Sequence, residues 1–196
     1  MLFVYLSDPL VTIGNPGHYS KINQALQAHF DIVAAKLNPP DKIMVAFIPA
    51  TPTPTPSDIL IYFSPVELSL VSNFAGRAHN PLTDAGDGWT SIRPGTPPSD
   101  ASEVYVKTSD PDQLAVLAFH EAMHNKLTMG QAMHGTYADS SRMAAKVTGP
   151  NTPVTPADAN DMAVAFRRPV TQWTGGIAIG LARRARRDSG DSLWFS

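Results

Sequence analysis

The sequence contains no cysteine, which excludes disulfides, thiolate zinc sites and cysteine nucleophiles together. Any metal bound by this chain must therefore be held through His, Asp or Glu. Charge is sparse as well: 16% of residues are Asp, Glu, Lys or Arg, and the formal net charge is -2. That balance supplies neither the global basic field of a nucleic-acid binder nor the acidic excess of a disordered chain. No apolar stretch approaches the roughly 20 residues needed to cross a bilayer, so no membrane span is expected. The opening residues lack the basic lead and small-residue cleavage site of a secretory signal, and read as a first strand. Partners must be argued from local sites.

With 43% hydrophobic residues in 196, the chain has enough apolar surface for one substantial core. Leu2 to Leu6 is apolar and aromatic, as in a strand, and Asn15-Pro16-Gly17 then breaks the chain. From Ser20 to Leu37 the residues Ile22, Leu26, Phe30, Val33 and Leu37 recur at helical spacing, and Pro39-Pro40 ends the run. Lys42 to Ile48 and Asp58 to Phe63 are short apolar runs expected to be strands buried on both faces. The proline-rich segment from Pro49 to Pro56 between them reads as a stiff spacer. Pro65 to Asp100 is irregular, with one edge strand expected near Gly88 to Arg93. Glu103 to Lys107 alternates and is expected to be a strand with one exposed face.

The clearest helix follows. Asp110 suits a cap, Pro111 the first helical position and Gln113 a capping-box partner, and the helix is expected to run to Gly130. Within it, residues 120 to 124 read His-Glu-Ala-Met-His. Residues four apart on a helix share a face, so His120 and His124 can converge on one ion, with Glu121 beside them as general base. Neutral imidazole suits zinc, and a catalytic zinc keeps three protein ligands and an open position for water. His134, beyond Gly130, is the third-ligand candidate. Asp139 is its alternative, and Asp158 and Asp161 are further ones. The plain reading, two histidines on an ordinary amphipathic helix, is set against the cap and the preceding strand. A last helix is expected from Thr155, with Pro156 in its first turn and Asp158 closing a capping box, to about Arg167.

This order of elements, with a helix carrying His-Glu-x-x-His, a glycine and a further histidine, resembles the metzincin zinc peptidases over residues 1–168. The resemblance implies a zincin-like α+β fold. Its parts would be a mixed, twisted sheet of about five strands, an active-site helix, a backing helix and a C-terminal helix. Residues 169–196 would form an extension packed on the domain or an interaction tail. It further implies that Met143 lies in a turn beneath the metal and that a peptide or protein substrate lies extended along the edge strand. In the family pattern the third histidine follows His-x-x-Gly-x-x, whereas here His134 lies ten residues after His124. The surplus is about one helical turn. The expected activity is zinc-dependent peptide hydrolysis. The alternatives are a catalytically inactive zincin-fold binding or structural protein, and a hydrolase acting on another electrophile.

Other features carry less. His79 reads as a solvated loop histidine, and His18 and His29 receive no role. Asp84-Ala-Gly-Asp87-Gly offers oxygen ligands but lacks the spacing of a calcium loop. Arg183, Arg184, Arg186 and Arg187 read as a solvated helix end, and Leu193-Trp194-Phe195 as a packed or interacting tail.

Overall fold

The computed structural model describes residues 1–48, 57–65, 88–92, 100–127, 132–137, 139 and 141–167. Strands β1 (Leu2–Ser7), β2 (Ile43–Phe47), β3 (Ile59–Ser64), β4 (Gly88–Ile92) and β5 (Asp100–Tyr105) form one sheet in the order β2-β1-β3-β5-β4. Neighbours are parallel throughout, except that β4 runs antiparallel to β5 at one edge. Among the described residues four helices complete the α+β architecture: α1 (Pro16–Ala34), α2 (Pro111–Leu127), α3 (Ala132–Thr136) and α4 (Pro156–Arg167). The spacer from Pro49 to Pro56, most of the irregular stretch between Pro65 and Asp100, and residues 168–196 lie outside the described residues. So do His79, Asp84, Asp87, Gly130 and the arginine cluster.

Helix α1 begins four residues before the position expected from hydrophobic spacing. The Asn-Pro-Gly cluster that reads as a break is its start: the Asn15 side chain accepts from Gly17 N at 2.9 Å and Pro16 occupies the first turn. Proline lacks only an N–H that has no helical partner there. The helix also stops at Ala34, short of Leu37, although Leu37 still joins the core.

The strands differ from expectation in a similar way. β2 is an edge strand, not one buried on both faces, and Met44 is 41% exposed. Its open backbone edge is closed by α1: Gln27 Nε2 donates to Ile43 O at 2.9 Å and Gln27 Oε1 accepts from Val45 N at 2.8 Å. A side-chain amide thus occupies groups that would otherwise template another strand. β3 is buried on both faces as expected. β5 starts earlier than expected, and Ser102 to Tyr105 are all buried because the strand lies between β3 and β4. Ser102 faces α2, so alternation puts Glu103 on the opposite face, where Ser64 Oγ donates to Glu103 Oε1 at 2.6 Å.

Helices α1, α2 and α4 pack on one another over the other face of the sheet. Phe30 of α1 is their meeting point, with ring centroids 5.0 Å from Phe119 of α2 and 6.2 Å from Phe166 of α4. Every residue of α2 from Leu114 to Leu127 is buried. Even Lys126 is buried: its ammonium donates to Ser57 O at 2.7 Å and lies 5.0 Å from the Phe166 ring. A cation in the last turn of a helix is also favoured by the helix dipole. This central helix, enclosed from Leu114 onward, holds the histidine pair.

Asn15→Ala removes the cap that starts α1 and is expected to cost about 1 kcal/mol, a fall in melting temperature of roughly 2–4 °C for a chain of this size. An unchanged melting curve would contradict the helix start at Pro16.

Candidate metal centre

Helix α2 begins where the sequence indicates, with Asp110 Oδ1 accepting from Asp112 N at 3.0 Å and from Gln113 N at 3.4 Å. Asp110's own N–H donates to Thr108 Oγ1 at 3.1 Å. The helix is fastened to β5 where Ser102 Oγ donates to Glu121 O at 3.1 Å. Nine residues into the helix, His120 and then His124 present their Nε2 atoms 3.1 Å apart. Short helix α3 brings His134 to the same point: its Nε2 lies 3.1 Å from that of His120 and 3.2 Å from that of His124.

These three nitrogens form a near-equilateral triangle that hydrogen bonding alone cannot satisfy. His120 Nδ1 lies 2.6 Å from Met143 O. A carbonyl only accepts, so Nδ1 carries the proton and Nε2 presents a lone pair. Whichever neutral tautomers His124 and His134 adopt, at least one pair of facing nitrogens is then two lone pairs or two N–H groups. One cation at the centre satisfies all three. Nitrogens 3.1–3.2 Å apart would stand about 1.9–2.0 Å from a central tetrahedral ion, within the roughly 0.2 Å tolerance of the 2.0–2.1 Å expected of zinc. His120, His124 and His134 can therefore hold a metal ion, and they are the group of potential ligands found among the described residues. Burial holds the His134 imidazole below its ordinary pKa, which keeps it neutral and competent as a ligand. His124 is 1% exposed and His120 6%, whereas His134 is only half-buried. The triangle is thus closed by α2 on one side and more open on the side of α3.

A second layer of bonds fixes the first. Met143, buried in the core, accepts from His120 through its carbonyl and donates through its own N–H to Asp158 Oδ2 at 3.1 Å. Asp158 of α4 is fully buried. It also accepts from Ala144 N at 3.3 Å, Arg142 Nε at 3.1 Å, Thr155 N at 3.0 Å and Thr155 Oγ1 at 2.8 Å. Its backbone N–H in turn donates to Thr155 Oγ1 at 3.1 Å, so the capping box expected from the sequence also clamps the methionine turn. Arg142 spans the same region, bonding Asp161 Oδ2 at 2.8 Å and lying 4.0 Å from the Tyr137 ring. Tyr137 OH donates to Asp161 Oδ2 at 2.9 Å. That contact ties the segment just after His134 to α4.

Glu121, 3% exposed, directs its carboxylate toward β4. A Cβ built on Gly88 would lie 2.6 Å from Glu121 Oε1 and 2.6 Å from Glu103 O. Only glycine leaves room at this position for the carboxylate to pass the edge strand.

The sequence-derived candidates therefore separate. His120, His124 and His134 come together, and Met143 supports them through its backbone. Asp139 is exposed and its carboxylate accepts from Ser141 N at 2.9 Å and Ser141 Oγ at 2.7 Å. Asp158 and Asp161 bind the turn, Arg142 and Tyr137 instead of joining the triangle. Sequence reasoning missed Arg142, Tyr137 and Gly88, and it saw Asp158 only as a cap or a ligand. The Thr155-to-Asp158 spacing was a signal for the cap. Nothing in the sequence linked that cap to Met143.

Asp158→Asn places an amide among several donors and is expected to cost about 3 kcal/mol or more. In the folded fraction it should weaken metal binding by roughly 10–100-fold, as loss of a ligand-orienting partner does. Asp161→Asn, at a partly exposed pair, should cost under about 1 kcal/mol. Thermal melts with zinc or cobalt titrations check both, and full-affinity binding by folded Asp158→Asn would contradict the linkage through Met143.

No protein-family model matches the chain and no curated protein matches it, so its functional reading rests on the geometry of its own residues.

Proposed function

We propose that the chain is a zinc-dependent peptidase of the zincin type, with His120, His124 and His134 as zinc ligands and Glu121 as general base and acid. The observation that carries this reading is the triangle of three Nε2 atoms at 3.1–3.2 Å on and beside the helix that bears Glu121. Three neutral nitrogen donors with no thiolate suit zinc better than calcium or magnesium, which prefer oxygen. Three protein ligands among the described residues, in place of four, match a catalytic zinc more than a structural one.

When bound, zinc would polarise the substrate carbonyl and bring the pKa of a water down to about 7. Glu121 accepts a proton from the attacking water as the new C–O bond forms. It returns that proton to the amine nitrogen as the C–N bond breaks. Met143 O, by holding the proton on His120 Nδ1, keeps the Nε2 lone pair directed inward. β4 is one of the two edge strands of the described sheet, and its position beside Glu121 suits a substrate added in extended form along that edge.

Glu121→Gln should retain zinc and lower hydrolysis of a quenched-fluorescent peptide library by about 10²–10⁴-fold, the usual share of a general base. Gly88→Ala should also keep zinc but lower kcat by about a hundredfold and lower the melting temperature, because the new methyl meets both the Glu121 carboxylate and the Glu103 carbonyl of β5. Wild-type rates in zinc-loaded Glu121→Gln would rule out this mechanism, and zinc-loaded wild type that cleaves nothing in the library would favour a binding protein.

A further inference from the structure

Two of the three histidines sit on α2, and the third arrives on α3, a helix of five residues that is too short to hold itself. Its grip on the core is narrow: Met133 is buried, His134 and Tyr137 are half-buried, and Gly135 and Thr136 are exposed. The rings are also fixed differently. His120 Nδ1 is set by Met143 O at 2.6 Å, whereas among the described residues no group bonds His134 Nδ1, and the polar contacts of that ring all pass through Nε2. The place of His134 therefore depends on how its short helix is held.

Tyr137, three residues downstream, supplies the hold. Its N–H donates to Met133 O at 3.3 Å, prolonging the turn of α3, and its hydroxyl donates to Asp161 Oδ2 at 2.9 Å. Burial, then the bond to Asp161, raises its pKa above the ordinary phenol value, so the hydroxyl is a donor throughout the neutral range. Arg142 closes the clasp. Its guanidinium lies 4.0 Å from the Tyr137 ring, with Nη2 2.8 Å from the same Asp161 Oδ2 and Nε 3.1 Å from Asp158 Oδ1. Asp158 and Asp161 stand three apart on one face of α4, yet they differ in access: the Asp158 side chain is fully buried and that of Asp161 is 38% exposed. A bond to the buried carboxylate is fixed, whereas one to the water-facing carboxylate breaks and reforms at modest cost.

We propose that Tyr137 is the positioning residue of the third ligand: its bond to Asp161 latches α3 against α4, and release of that latch frees His134 to admit or give up the metal. The inference rests on the reading that His120, His124 and His134 hold zinc. The pair on α2 offers two nitrogens that stay in place, and the latched arm adds the third. Burial suits this order, since His120 and His124 are enclosed and the triangle is more open on the side of α3. Arg142 joins the latch to the Asp158 clamp on Met143, so the holds on His120 and His134 share one guanidinium.

Zinc affinity, and the rate of zinc release to excess chelator, would be measured on the full chain as wild type, Tyr137→Phe, His134→Ala and the double variant. Cobalt(II) absorption would report the ligand set, and melts of the metal-free proteins the fold. Tyr137→Phe removes one oxygen and keeps the ring that Arg142 covers. It should release zinc about tenfold faster, as loss of one bond to a charged group does, with little change in association rate. The double variant should bind as His134→Ala alone does, because a latch without its ligand has nothing to position. A merely structural tyrosine would lower the metal-free melting temperature and leave release unchanged, and that result overturns the proposal. So does an equal further loss in the His134→Ala background, which places the effect elsewhere. If His134→Ala binds zinc as tightly as wild type, the ligand reading fails and this inference with it. If His134→Ala weakens binding and Tyr137→Phe does not, this inference alone fails. No readout depends on hydrolysis, so the peptidase chemistry is tested separately.

Discussion

Three imidazole nitrogens brought within 3.2 Å of one another impose the constraint on which the rest of the structure depends. Without a cation at least one pair repels, so the arrangement persists only if the surrounding fold holds each ring in place. Helix α2 supplies two of the rings at no extra cost in order, since residues four apart share a face. That helix is in turn fixed by burial on every side, between α1 and α4 above and the sheet below.

The third ring is held differently. Its short helix carries little intrinsic stability, and order comes from tertiary bonds. Asp158 is the anchor: one buried carboxylate gathers backbone, hydroxyl and guanidinium donors from Arg142, Met143, Ala144 and Thr155. Through Met143 it sets the tautomer of His120, and through Arg142 it meets the Tyr137–Asp161 contact next to His134. A buried charge of this kind is costly to desolvate and harmful to break. Here it gives up hydration to specify one geometry, in the manner of the outer partners that orient ligands at metal sites.

Much of this could be read in the sequence, and the failures have physical causes. The start of α2 at Asp110-Pro111 and of α4 at Thr155-Pro156 were legible because capping is local chemistry. Asn15-Pro16-Gly17 misled because the same residues serve a turn and a helix start, and only the tertiary context chose. β2 carries an apolar run typical of a strand buried on both faces, yet it is an edge strand, since strand order is set by crossovers that periodicity does not encode. His134 and Asp139 could not be separated by type or spacing. The structure separates them because α3 turns His134 toward α2 while Ser141 occupies Asp139. The fit of Gly88 against Glu121 depends on a contact between segments tens of residues apart, beyond the reach of local pattern.

The central claim is that this chain closes a three-histidine zinc site. The most direct measurement is metal content by elemental analysis on protein purified without chelators, as wild type, His134→Ala and Asp139→Ala. The account predicts about one zinc per chain in wild type and in Asp139→Ala, and loss of zinc in His134→Ala. Wild type without metal under zinc-replete conditions, or zinc lost from Asp139→Ala and kept by His134→Ala, would contradict it.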